Sequence, residues 1–283
     1  MEIIGIKRNH DIQSALNLLE EGFMEAKEHW SLAFSRRLNK KENYGFLLKT
    51  NNEAVGVLLT FTKNFNTNGD NLKQVNFSSW YVKEKYRVFA IYLVLKAIEE
   101  NTVKSVFTNF SANKDVVSIF LKLGFELFSK YDLFLPTIFT NFFKLNDFYI
   151  SEISGKNKYL LNDSDKKKSE DHNDEKFLKL VYKEKGREKF NLMIFKIEKR
   201  KGLKVLKFMY ATQLHNFGNL IHALKARALS LGFLIISFPN VCPYNSSFFK
   251  IKDPTSCPIL LKSTNLNWKV NKLYTEECYL GRV

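Results

Sequence analysis

Residues 75–82, VNFSSWYV, alternate along the chain. Val75, Phe77, Ser79 and Tyr81 fall on one face, and Asn76, Ser78, Trp80 and Val82 on the other. A period of two predicts a strand. After the charged turn Lys83-Glu84-Lys85 the period changes. Ala90, Leu93, Val94, Ala97 and Ile98 recur at helical spacing and predict an amphipathic helix. A strand that feeds a helix presents free backbone N–H groups and a positive dipole end at one point, which suits a phosphate.

The rest of the first half reads around this pair. Residues 2–7 predict a strand, followed by a helix over 12–21 with Asp11 as N-cap and a second helix near 25–38. Residues 44–49 and 54–62 predict a hairpin turned at Asn51-Asn52-Glu53, then a polar loop over 64–71 and the central strand over 72–82. A strand over 104–111 and a helix over 114–123 follow, with Gly124 as the helix cap. A last strand is expected over 126–135, stopped by Pro136.

Residues 162–176, NDSDKKKSEDHNDEK, contain no apolar side chain. Nothing there offsets the entropy of ordering, so a mobile charged loop is expected. Beyond it, 190–199 and 203–212 predict an antiparallel pair turned at Lys201-Gly202. A helix over 218–231 follows, then a buried strand over 232–238, and two closing strands at 258–261 and 272–280. This second set is a weaker copy of the first. The expected division is a domain of 1–140 and another of 141–283.

Composition narrows the class. Of 283 residues, 45% are hydrophobic and 14% aromatic, enough for a substantial core. The formal charge of +15 invites acidic partners, but only eight of the 44 basic residues are Arg. With no interleaved aromatic–basic pattern, nucleic acid is not expected as a partner. No apolar run reaches membrane-spanning length. Cys242, Cys257 and Cys278 form no framework, so a reducing, cytoplasmic setting is expected. The five histidines have no metal-ligand spacing.

The segment WYVKEKYRVFAIY resembles the acyl-CoA-binding signature of the GCN5-related N-acetyltransferase superfamily: a strand, then Arg-x-x-Gly-x-Gly/Ala, then a helix. Arg87 takes the Arg position, Ala90 the first small position and Tyr92 the second. Residues 109–127, with Asn113 and Leu123-Gly124-Phe125, resemble the following strand and helix. The resemblance covers roughly the first half of the chain. It implies an α/β (α+β) fold: a mixed, mostly antiparallel sheet flanked by helices, followed by a second, degenerate half of the same kind. The chain's last residues, LYTEECYLG, together with SSWYV, are similar to little-characterised bacterial proteins with two such halves.

The resemblance further implies acetyl-CoA or another acyl-CoA as donor, and a small-molecule, sugar or amine acceptor. Trp80, Val82, Arg87, Val88, Phe89, Ala90, Ile91 and Asn113 are the implied cofactor-binding residues. Two positions depart from the signature. Tyr92 is bulky where the family is small. Phe120 stands where many members carry a Tyr that protonates the leaving thiolate, and it has no proton to give. Ser79 on the central strand, Tyr131 as a substitute acid and His29 as a base are the catalytic candidates. The alternatives are a non-catalytic binding module, or a tandem transferase with an aminoacyl-tRNA donor. Against the latter, the chain has no long helical-hairpin insertion.

Overall fold

A computed structural model describes residues 1–35, 43–67, 70–101, 104–139, 147–214, 216–240, 250–253, 256–263, 271–275 and 278. The end of the predicted second helix, His215, Cys242 and most of 276–280 lie outside them. The chain divides into two compact units. The first is Met1–Phe128 with Pro258–Lys269 and Tyr274–Val283; the second is Ser129–Cys257 with Val270–Leu273.

In the first unit, β1 (Glu2–Gly5), α1 (Asn9–Phe23), α2 (Lys27–Ser35), β2 (Gly45–Thr50), β3 (Glu53–Thr67) and β4 (Asp70–Val82) follow in order. A 3₁₀ helix (Glu84–Phe89) leads into α3 (Ala90–Glu99), then β5 (Ser105–Asn109), α4 (Lys114–Lys122) and β6 (Glu126–Ser129). Asn51 and Asn52 turn the β2–β3 hairpin with φ of 49° and 64°, left-handed values that Asn tolerates. Asp11 is not the N-cap of α1. The helix starts at Asn9, and the buried Asp11 carboxylate reaches back to accept the Arg8 N–H at 3.3 Å.

The expected polar loop at 64–71 is largely hairpin. Asn64 pairs with Lys73 and Phe65 with Leu72, because two long strands already in register continue to pair. Val75, Phe77, Leu93, Val94 and Phe120 build a core on one face of the sheet. Leu16, Leu19, Trp30, Val57 and Leu59 build another on the opposite face, under α1 and α2.

The second unit holds β7 (Asp132–Pro136), β8 (Phe148–Glu152), α5 (Asp163–Asp171), β9 (Phe177–Glu184), β10 (Asn191–Arg200), β11 (Leu203–Ala211), α6 (Phe217–Ser230), β12 (Ile235–Pro239) and β13 (Ile251–Lys252). Its core lies under α6, around Phe195, Phe208, Leu220, Leu224 and Phe238. The predicted hairpin turn at Lys201-Gly202 is present, with φ of 48° and 81°. In place of the closing strand expected from residue 272, residues 273–275 form a turn and a bend.

The charged stretch expected as a mobile loop instead contains α5. Asn162 caps it, its side chain accepting from the Asp165 N–H at 3.0 Å. The buried Asp165 carboxylate accepts from the Tyr210 hydroxyl at 3.0 Å and the Thr212 hydroxyl at 2.6 Å. A hydrogen-bonded buried carboxylate orders this segment where apolar side chains are lacking.

The predicted strand over 126–135 is broken at Lys130-Tyr131. Its first part, β6, joins the first sheet and its second part, β7, the second. The sixth strand of the first sheet is β14 (Ile259–Ser263), so the strand orders are β1-β2-β3-β4-β5-β14-β6 and β13-β7-β12-β11-β10-β9-β8. Read from β8, the second order repeats the first: three antiparallel pairings, one parallel pairing, then an antiparallel sixth strand.

Candidate active site

The first sheet opens beside β4. The parallel β4–β5 ladder runs from Lys73 opposite Ser105 to Phe77 opposite Asn109 and stops there. The Asn109 side chain accepts the Ser111 N–H at 3.0 Å, a local turn that takes the chain away from the ladder. On its other side β4 stays paired with β3 out to Val82 opposite Gly56. Leu58 pairs with Trp80 and Leu59 with Ser78, which leaves Ser79 as the extra residue of a β-bulge. Among the described residues, no strand pairs with 78–82 on the β5 side. Such an edge offers N–H and C=O groups to an extended, amide-bearing ligand.

The side chains flanking this edge divide by face. Ser78 is buried and Ser79 half-buried, their hydroxyls 3.2 Å apart. Trp80 packs on the α3–α4 side against Phe120, with ring centroids 6.1 Å apart, and its buried indole N–H has no hydrogen-bond partner among the described residues. Tyr81 faces α1 and its hydroxyl donates to Glu21 at 2.9 Å. Burial first, and the bond to Glu21 second, push this phenol above its ordinary pKa. The Tyr81 ring lies over Gly22, where an added Cβ would come within 2.3 Å of it. His29, on α2, packs edge-on against Trp30, its Nε2 buried and unpartnered among the described residues. Val82 is buried in the core.

The strand-to-helix junction differs from a loop of free amides. The Tyr86 N–H donates to the Lys83 carbonyl at 2.8 Å, and the Ala90 N–H to the Arg87 carbonyl. The 3₁₀ turns thereby engage much of the junction's backbone. Arg87 is exposed, and among the described residues no carboxylate lies within ion-pair distance of it. Val88 is exposed, while Phe89, Ala90 and Ile91 are half-buried. Tyr92 is 52% exposed and stacks on Phe89, off the Leu93–Val94–Ala97 face.

Asn113 is the N-cap of α4, accepting the Val116 N–H at 2.9 Å. Phe120 is wholly buried, its ring centroid 4.7 Å from Phe125 and 5.4 Å from Phe77. Tyr131 belongs to the second unit, where Lys252 Nζ lies 4.9 Å from its ring. The structure thus brings Ser79, Trp80, Val82 and the Arg87–Ile91 turn together along one strand and its following turn. Tyr131 is not part of that unit.

Sequence reasoning missed the polar stripe behind the opening. The Thr108 hydroxyl donates to Asn76 at 3.1 Å, and Gln74 donates to Thr108 at 3.4 Å, all three buried. Gln74, Asn76 and Ser78 alternate with Val75 and Phe77 on a strand covered on both faces. Polar residues at every second position of such a strand were the available signal.

No protein-family model matches the chain, and no curated protein matches it by sequence. Solved structures do match its fold. A GCN5-related N-acetyltransferase from Anabaena variabilis superposes over 93% of this chain and 73% of its own, with TM-score 0.58 and 14% identity. One from Kribbella flavida covers 93% and 72%, with TM-score 0.57 and 12% identity. Eis1 from Mycobacterium abscessus covers 93% and 74%, with TM-score 0.55 and 8% identity. The chain has the GCN5-related N-acetyltransferase fold, in a two-half form. No helix among the described residues is long and apolar enough to cross a membrane.

Proposed function

We propose that the protein is an acyl-CoA-dependent acyltransferase working at the open edge of β4. The bulge at Ser79, with no strand among the described residues pairing with 78–82 on the β5 side, is the observation that carries this reading. The pantetheine arm of the donor would pair with the edge, and Arg87 would meet the phosphates. An acceptor amine or hydroxyl attacks the thioester carbonyl, β4 N–H groups hold the oxyanion, and the CoA thiolate leaves. The proton shed by the acceptor, taken up by His29 as base or by water, converts the thiolate to the thiol. With Phe120 buried in the core, no acid at that position assists the thiolate. Positioning of the two substrates supplies most of the acceleration, with His29 and Ser79 as candidate polar groups. The acyl group is expected to be acetyl.

The engaged amides at Tyr86 and Ala90 favour a second reading, a binding module without catalysis. Calorimetry with acetyl-CoA and longer acyl-CoAs, followed by thiol release with a panel of amines, separates the two. Binding that Arg87→Ala weakens by about 1–3 kcal/mol, with thiol release, supports the enzyme. Binding without release supports the module, and no heat at any chain length overturns both.

A further inference from the structure

The second sheet carries its own copy of the opening. Ile194 pairs with Tyr210 and Phe195 with Phe208, so Met209 is the extra residue of a bulge on β11, as Ser79 is on β4. The parallel β11–β12 ladder stops at Lys207 opposite Ser237, while β11 runs on to Ala211. Here, however, β11 has a backbone partner. The Lys272 N–H donates to the Met209 carbonyl at 3.0 Å.

Residues 271–273 are held on several sides, all within the second unit. Leu273 is wholly buried and Lys272 nearly so. The Leu273 carbonyl lies 2.5 Å from Nε2 of His172, the C-cap of α5. The Lys272 ammonium is 3.7 Å from the buried Asp132 carboxylate. The Leu273 N–H donates to the Asn271 side chain at 3.2 Å.

We infer that the opening of the second half is a site for an extended, amide-bearing chain, and that residues 271–273 are its occupant. A peptide and a pantetheine arm offer a strand carbonyl the same donor, an amide N–H. The chain's own segment therefore takes the place that a second thioester would need. The protein carries two copies of one opening, one of them filled internally, and has a single donor site. Only that last statement rests on the proposed function of the first half. The filling of the second opening stands on the contacts alone.

Hydrogen exchange on the full chain tests the filling without any ligand. The Lys272 amide is expected to exchange at least about a hundredfold more slowly than an exposed loop amide. Exchange at the rate of an exposed loop overturns the inference, whatever happens to any variant. Lys272→Pro removes the donor, and His172→Ala removes the clamp on Leu273. Each is expected to speed exchange at 271, 273 and 209–211, and His172→Ala also at 272, while the amides of α6 stay protected. The same variants are then titrated with pantetheine and acetyl-CoA. A rise of one bound equivalent over the unaltered chain supports the ligand class assigned to the opening. No rise, with 271–273 shown to be released, overturns that class. The unaltered chain's own stoichiometry, one or none, reports separately on the first half.

Discussion

Asp165→Ala should destabilise the second unit far more than an ordinary change in a charged helix. The carboxylate is buried and accepts from Tyr210, Thr212 and Asn162 at 3.0, 2.6 and 2.8 Å, with the Lys168 ammonium 3.5 Å away. Removing it strands the Tyr210 hydroxyl, leaves the Thr212 hydroxyl only its contacts with the Leu192 backbone, and leaves a mostly buried lysine without its nearby carboxylate. Loss of one partner in such a cluster costs about 3–5 kcal/mol. At about 2–4 °C per kcal/mol, the midpoint should fall by about 6–20 °C. A thermal melt would measure the midpoint and urea denaturation the free energy, with Asp165→Asn as the milder variant that keeps an acceptor. A cycle with Tyr210→Phe should show coupling of about 1–3 kcal/mol. A loss under about 1 kcal/mol, the usual range for surface changes, or strict additivity with Tyr210→Phe, would refute the claim that this carboxylate orders α5.

Burial alone would raise the Asp11 carboxyl, but the Arg8 hydrogen bonds and the nearby His10 and Arg8 charges hold it below its ordinary value. Its contribution to stability is therefore complete above the unfolded carboxylate pKa and disappears as pH falls through the lower folded one. In acid titration of stability, Asp11→Asn should flatten that part of the curve. Tyr92→Gly should cost about 1 kcal/mol of helix propensity in thermal melts and leave acetyl-CoA affinity unchanged, because the half-exposed ring stacks on Phe89; a sharp gain in affinity would show that the ring had been blocking the donor.

The first half was readable where one element follows another in period. Alternation from Val75 to Val82 and the helical spacing of Leu93, Val94 and Ala97 locate β4 and α3, but the faces expected beyond Ser79 are reversed: Trp80 and Val82 pack with Val75 and Phe77, and Tyr81 faces α1. The bulge at Ser79 was not readable, since it arises from pairing with Leu58 and Leu59 and leaves no mark on the alternation of a single strand. The free amides expected at Arg87–Ile91 assumed an open loop. The sequence EKYRVF instead closes 3₁₀ turns, and nothing in composition distinguishes the two. The stretch around α5 was misread because apolar content was the measure of order, while its anchor is one carboxylate that meets Tyr210 and Thr212 only in the fold. The short apolar runs 132–136 and 259–263 announce strands but cannot say which sheet receives them.

That last ambiguity has a consequence for how the protein is made. Asn109 pairs with Leu260, so the first sheet waits for a strand about 150 residues downstream, while β7, encoded directly after β6, goes to the second sheet. Vectorial synthesis ordinarily lets an N-terminal unit finish before the next appears. Here the first unit leaves the ribosome one strand short, with the edge of β5 bare until β14 is released. Long-range pairing of this kind is slow to form, and it ends the independence of the two halves as heritable modules. A gene break between Phe128 and Ser129 would leave the second half its sixth strand but deprive the first of β14, so the first half can be duplicated or moved only with the end of the second.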